Sequence, residues 1–333
     1  MISYFSFIII INFLIFYFYE PISKLYNVFD YPDHNRKIHI HPVPLLGGLF
    51  LLINLGLILF INYYFILIFD NSYFSSIKSF YFFYLIIFLF FFIGLIDDKF
   101  KLNANLKLII TTLSIIISLY FDKEILLNSL NFSFYNKIIY LGDFNYFITV
   151  LCFLLFINAF NMLDGINGQA SCYAIFIFIV FILKGIMVLF FITLLLALVF
   201  FLFLNFKNKS YLGEAGSLVI SYIVSYTFIK NYNIANNFSS DEIFLIMSIP
   251  GYDLLRLAIQ RIVLKKHPFS PDNLHIHHLL LKKWGFLKTF FTIQLLLVFP
   301  YLSYCLIDIF FISLILSLLI YFLTFYYFYY RSR

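Results

Sequence analysis

Apolar runs of about 18 residues or more, each long enough to span a bilayer, recur from one end of this chain to the other. Most of its charged side chains sit in the short segments between them. In hydrocarbon a backbone must satisfy its own N–H and C=O groups, so only helices and closed barrels cross a membrane. A barrel strand needs about half this length. The runs are therefore expected to be helices, and the fold class an all-α, polytopic integral membrane protein. With 63% hydrophobic and 11% charged residues, the chain lies far from the roughly 25% charged composition of a soluble domain.

About eleven transmembrane helices are expected. They cover roughly 2–19, 46–69, 79–96, 104–121, 146–162, 170–184, 186–204, 216–230, 241–259, 289–306 and 309–330. The sixth and seventh are separated only by Lys184–Gly185, so one long bent helix is the alternative there. The first run holds no Lys or Arg, whereas Lys24, Arg36 and Lys37 follow it. The positive-inside rule then puts the N-terminus outside and the 20–45 loop in the cytoplasm. Alternation from there gathers 17 of the 22 Lys and Arg residues on the cytoplasmic side, leaving Lys78, Lys123, Lys137, Lys184 and Lys230 outside. The C-terminus is then cytoplasmic. No basic n-region or small-residue cleavage site marks a removable signal peptide. Cys152, Cys172 and Cys305 lie in or at the edge of apolar runs without paired spacing, which suggests neither disulfide nor zinc.

Five polar segments emerge on that same side. All seven histidines fall in two of them, Asp30–His41 and His267–His278. Asp97 and Asp98 close the third run; acids at a helix C-terminus oppose its dipole, so such a pair is usually kept for a cation or a proton. Asn158, Asn161 and Asp164, spaced i, i+3, i+6, line one helical face and lead into Gly165 and Gly168; an interhelical polar clamp is the plain alternative. Glu214 lies at a helix start among small residues, where an anion can bind, although a favourable first-turn acid would look the same. His275, His277 and His278 lie among Arg261, Lys265, Lys266, Lys282 and Lys283 and suit phosphate better than a closed zinc site, which needs further ligands. In the first loop, Arg36, Lys37 and His39 precede Pro42, Pro44 and Gly47–Gly48. Lipid anchoring explains that charge but not the prolines and paired glycines.

In order, these segments resemble the polyprenyl-phosphate N-acetylhexosamine-1-phosphate transferase family. The matching stretches are Asp30–Gly48, Gly94–Asp98 with Leu102 and Lys107, Asn158–Gly168, Leu212–Ser217 and His275–His278. The His–Ile–His–His form is similar to the UDP-GlcNAc:undecaprenyl-phosphate GlcNAc-1-phosphate transferase-like branch, whose products start O-antigen, lipopolysaccharide and other cell-wall glycans. It is less like the peptidoglycan branch, phospho-N-acetylmuramoyl-pentapeptide transferase. The chain departs from the family at Glu214, usually Asp, at Asn167, often a second Asp, and at Gln169, often Leu.

The resemblance implies a single transferase domain over 1–333, with loops 20–45, 97–103, 163–169, 205–215 and 260–288 forming a cytoplasmic active-site face at a bacterial inner membrane. It implies transfer of HexNAc-1-phosphate from a UDP-N-acetylhexosamine to undecaprenyl phosphate, releasing UMP, with Mg2+ (Mn2+ as alternative) as cofactor. Asn161 and Glu214 are the expected metal ligands. Asp97, Asp98 and Asp164 are the expected catalytic residues. Substrate binding falls to Arg36, Lys37, His39, Lys107, Asn158, Asn167, Arg261, His275, His277 and His278. A phosphate monoester has its second pKa near about 6, so the acceptor needs little deprotonation; Asp97 and Asp98 are expected to orient it, with base action as the alternative. Membrane lipid is a partner, nucleic acid is not, and a homodimer is compatible with all of this. The rival of another class, a cation-coupled secondary transporter, usually has repeats and a midplane site; here no repeat is visible and the acids cluster at run ends.

The orientation is directly testable. A cysteine introduced near Asn273 should be labelled by a membrane-impermeant thiol reagent only after cells are opened. Labelling on intact cells would overturn the cytoplasmic assignment of His275–His278.

Overall fold

The computed structural model describes residues 2–32, 41–65, 73–234, 237–265 and 275–330. Arg36, Lys37 and His39 lie outside them. The described helices are α1 (Ile2–Tyr17), α2 (Tyr19–Tyr26), α3 (Gly47–Phe65), α4 (Ile77–Phe100), α5 (Ala104–Phe121), α6 (Asn145–Asn161), α7 (Gln169–Leu183), α8 (Val188–Asn205), α9 (Gly213–Ile234), α10 (Ser240–Val263), α11 (Ile276–Ile307) and α12 (Phe310–Tyr330). Two small antiparallel pairs accompany them: β1 (Phe29–Asp30) with β2 (Val43–Pro44), and β3 (Ser129–Phe132) with β4 (Tyr135–Tyr140). The protein is all-α and polytopic. Among the described residues six helices are long and apolar enough to cross a membrane, and seven if the bent pair α1–α2 counts as one span.

Every expected apolar run holds a helix, with two local differences, in the first run and in the 260–288 loop. The first run bends by 74° near Phe18 and continues as α2. The sixth and seventh are two helices, α7 and α8, with Met187 in a left-handed conformation between them. The expected 260–288 loop is helical from Ile276, and the helix is interrupted at Gly285, whose φ is 71°. The β3–β4 pair was not anticipated.

The chain forms two compact units, Met1–Lys123 with Ala174–Val224 and Glu124–Tyr173 with Ser225–Arg333. In the first, α1 and α3 pack on α8, and α4 packs on α5. Asn12 of α1 and Asn54 of α3, both fully buried, exchange two amide hydrogen bonds of 2.9 Å. The segment before α3 is stitched to the segment before α9: Tyr211 N–H donates to the Pro44 carbonyl, and Gly47 and Gly48 N–H donate to the Tyr211 and Leu212 carbonyls.

In the second unit, α10 packs against α6, α11 and α12. Pro250 lies inside α10 and has no N–H to give the carbonyl four residues back. That carbonyl belongs to Ile246, and the buried Tyr173 hydroxyl donates to it. A side chain from α7 thus repairs the backbone of α10 about two turns before Asp253. Lys230, with no exposed surface, is held by Glu124 at 2.9 Å and by the Tyr226 hydroxyl at 3.1 Å.

If the Tyr173 hydroxyl repairs the proline break, Tyr173→Phe should destabilise the protein by about 1–3 kcal/mol, the cost of an orphaned buried carbonyl. Adding Pro250→Ala restores a backbone donor and should recover most of the loss. Thermal unfolding of the two single variants and the double variant in detergent checks this; additive losses would contradict it.

Candidate active site

Asp97 and Asp98 occupy the last turn of α4, the unfavourable end of its dipole. Each has a compensating partner in the first unit. Asp97 accepts the Leu102 N–H at 2.7 Å and faces the Lys107 ammonium at 2.8 Å. Asp98 accepts the N–H groups of Glu214 and Ala215, at 2.8 and 3.1 Å. These are unpaired amides of the first turn of α9, so the C-terminal acid of one helix caps the N-terminus of another. Gly213 makes this approach feasible. Its φ is +75°, and a Cβ there would lie 2.8 Å from Asp98 Oδ2.

Lys107 also donates to Glu214. One ammonium therefore joins Asp97 to Glu214, and the backbone of Glu214 holds Asp98. The three carboxylates and the lysine form one cluster. Their side chains are partly buried, with exposures of 11% for Asp97, 19% for Lys107 and 34% for Glu214. The anion site expected at the start of α9 is filled by Asp98 itself.

The second unit holds the other polar motifs. Asn158 and Asn161 lie on α6, where the Asn158 amide donates to the Leu154 carbonyl at 2.7 Å. Asp164 does not continue that helical face. The helix ends at Asn161, and the following turn is tightened by Leu163 N–H to Phe160 O and Asp164 N–H to Asn161 O. Asp164 is exposed and Asn167 half-buried. Gly165 abuts the histidine motif: a Cβ on it would fall 1.9 Å from His277 Nε2. The asparagine loop and His275–His278 are thus brought together.

His275 is the residue before the first turn of α11, its side chain making no capping hydrogen bond, and His277 and His278 stand in that turn. The His275 and His277 rings stack with centroids 5.3 Å apart, and those of His277 and His278 lie 4.2 Å apart. Arg261 is buried on the face of α10 that also carries Asp253 and Leu257. Asp253 was absent from the expected site residues, yet its carboxylate meets His275 Nδ1 at 3.1 Å. An acid inside an apolar run, with Arg256 three residues on, is a signal the sequence carried.

Gln169 follows the asparagine loop and is 1% exposed. Neither atom of its carboxamide has a hydrogen-bond partner among the described residues, and it lines a pocket with Met162, Asp253 and His277.

Among the described residues no three His, Cys, Asp or Glu side chains are arranged as a ready metal site. The donor chemistry is nonetheless that of magnesium, which takes carboxylate and carbonyl oxygens. Asp97 and Glu214 already share one positive charge, the Lys107 ammonium. The fit is chemical, in donor type and charge.

Residues 80–231 match the family described as "Glycosyl transferase family 4". The chain is 26% identical over 282 residues to the undecaprenyl-phosphate alpha-N-acetylglucosaminyl 1-phosphate transferase of Escherichia coli (strain K12), covering 81% of this chain and 73% of that protein. It is 27% identical over 198 residues to the protein of the same description from Thermotoga maritima, covering 59% and 60%. With the Salmonella typhi protein the identity is 26% over 202 residues, covering 57% and 55%. Residues 80–231, which hold Asp97, Asp98, Lys107 and Glu214 of the carboxylate–lysine cluster, are thus similar to glycosyl transferase family 4.

Proposed function

We propose that the protein transfers a HexNAc-1-phosphate from a UDP-N-acetylhexosamine to undecaprenyl phosphate, as the first membrane step of a cell-surface polysaccharide. The observation that carries this reading is the cluster in which Lys107 joins Asp97 to Glu214 while Asp98 grips the start of α9. It supplies oxygen donors and net negative charge at the end of an apolar helix. That suits a reaction in which phosphates must be neutralised and aligned more than it suits bond-making by a protein nucleophile.

In this reading an oxygen of the acceptor phosphate forms a bond to the sugar-linked phosphorus of the donor. The bond from that phosphorus to the bridging oxygen breaks, and UMP leaves with the electron pair. The products are undecaprenyl-diphosphate-HexNAc and UMP. Mg2+, or Mn2+, would neutralise and position the diphosphate when bound; Glu214 and Asn161 are its proposed ligands, and Asp97, Asp98 and Asp164 the proposed catalytic acids. Asp97 and Asp98 orient the acceptor, and Lys107 keeps the two flanking carboxylates from repelling each other. His275, His277, His278 and Arg261 bind the donor's phosphates, with Asn158 and Asn167 on the adjoining loop. Arg36, Lys37 and His39 gather anionic substrate.

The working arrangement we infer is one transferase across 1–333, eleven spans, N-terminus outside and C-terminus inside, with the site on the cytoplasmic face of a bacterial inner membrane. GlcNAc is the first donor to test, because the relatives from Escherichia coli and Thermotoga maritima bear that sugar in their names.

Purified protein given UDP-GlcNAc and undecaprenyl phosphate should release UMP, and EDTA should abolish turnover. UDP as product, or full turnover in EDTA, would sink the reading. Mass analysis of the lipid products from several UDP-HexNAc donors identifies the sugar.

Glu214 gives a sharper check. Glu214→Gln removes one charge and should weaken the response to metal, with activity partly returning at high Mg2+. Glu214→Asp keeps the charge one methylene shorter and should retain activity. Complete loss in the Asp variant would remove Glu214 from the ligand set.

A further inference from the structure

The carboxylate of Asp253 is gripped on one oxygen and offered on the other. Its Oδ1 accepts from Arg256 Nη2 at 2.7 Å and from the Tyr321 hydroxyl at 2.8 Å. The Tyr321 oxygen in turn accepts from Arg256 Nε at 3.0 Å. Arg256 is steadied further by the Gln260 amide oxygen at 3.1 Å and lies 4.2 Å from the Phe325 ring centroid. Asp253 is 7% exposed and Tyr321 not at all. With Oδ1 occupied, Oδ2 meets His275 Nδ1 at 3.1 Å.

We propose that Asp253 is a positioning residue for His275, fixing which ring nitrogen the histidine motif presents to the donor. The inference rests on the reading of His275–His278 as the donor-phosphate site. An ionised carboxylate only accepts, so the contact needs a proton on His275 Nδ1 and turns Nε2 away from Asp253. The ring is held a second way, by its stack on His277. Together these constraints leave the imidazole one orientation and one tautomer. A plain Asp253–Arg256 ion pair would explain neither the Tyr321 hydroxyl on the same oxygen nor the imidazole on the other. The three elements involved, α10, α12 and the start of α11, all lie in the second unit, so the device is internal to one compact body. Arg256 balances the charge of Asp253, so the aspartate acts on the ring by direction more than by field.

Two readouts test this on the full-length protein in detergent. With nitrogen-15-labelled histidine, the His275 signals are identified by their loss in His275→Ala. In the wild type they should show the proton on Nδ1; in Asp253→Asn, whose amide can donate, that preference should be lost. A wild-type His275 protonated on Nε2 with a bare Nδ1 overturns the proposal without any variant. The kinetic readout is a double-mutant cycle on UDP-GlcNAc turnover. Asp253→Asn should raise the donor KM by about tenfold and leave kcat nearly unchanged, as loss of support behind a binding group does. In the His275→Ala background the same change should add almost nothing; additive effects mean that Asp253 acts elsewhere and overturn the proposal. Tyr321→Phe keeps the carboxylate–imidazole contact and should preserve the tautomer, which separates ring positioning from a general loss of packing. If the wild type turns over none of the UDP-HexNAc donors, the transferase reading falls, while the ring signals still decide the role of Asp253.

Discussion

A helix in hydrocarbon has no water to satisfy a polar group it fails to pair, and the structure answers that constraint repeatedly with side chains distant in sequence. Pro250 removes one backbone donor from α10, and Tyr173 supplies a hydroxyl to the carbonyl left behind. Lys230 is fully buried and is met by Glu124 and Tyr226. Asn12 and Asn54 satisfy each other. Each repair ties two elements in one fixed relation, because the penalty falls on any arrangement that separates the pair. The Tyr173 repair fixes α10 about two turns before Asp253.

The same logic makes the carboxylate cluster stable where it stands. Two adjacent acids at the C-terminal end of α4 oppose its dipole and repel each other. Asp98 escapes by capping α9, whose dipole has the right sign, and Asp97 by sharing Lys107 with Glu214. The ammonium and the α9 amides together hold three carboxylates in one place.

Run length was enough to locate the six or seven described helices that can cross a membrane, because in lipid a run of such length leaves helix as almost its only solution. The break between α7 and α8 was readable from Lys184–Gly185, where charge and glycine coincide. The bend at Phe18 was not, because an apolar run carries no mark of where its helix breaks. The chemistry-bearing motifs were legible as residue types, but their pairing was not. Nothing local in Glu214 says that its partner is Lys107, 107 residues away. Asp253 was visible as an acid in an apolar run, but its link to His275 depends on how α10 and α11 cross. Asp164 was misplaced onto the helical face of Asn158 and Asn161 because periodicity does not show that Gly165 and Gly168 let the helix end at Asn161.

The two polar centres differ in sign, and that difference bears on the chemistry. In the first unit three carboxylates stand against one ammonium, so the cluster is net negative and repels phosphate unless a cation intervenes. In the second, the described histidines stand beside an asparagine loop, and Asp253 is already balanced by Arg256. Lys107 holds the acidic cluster together with a charge too small to neutralise it.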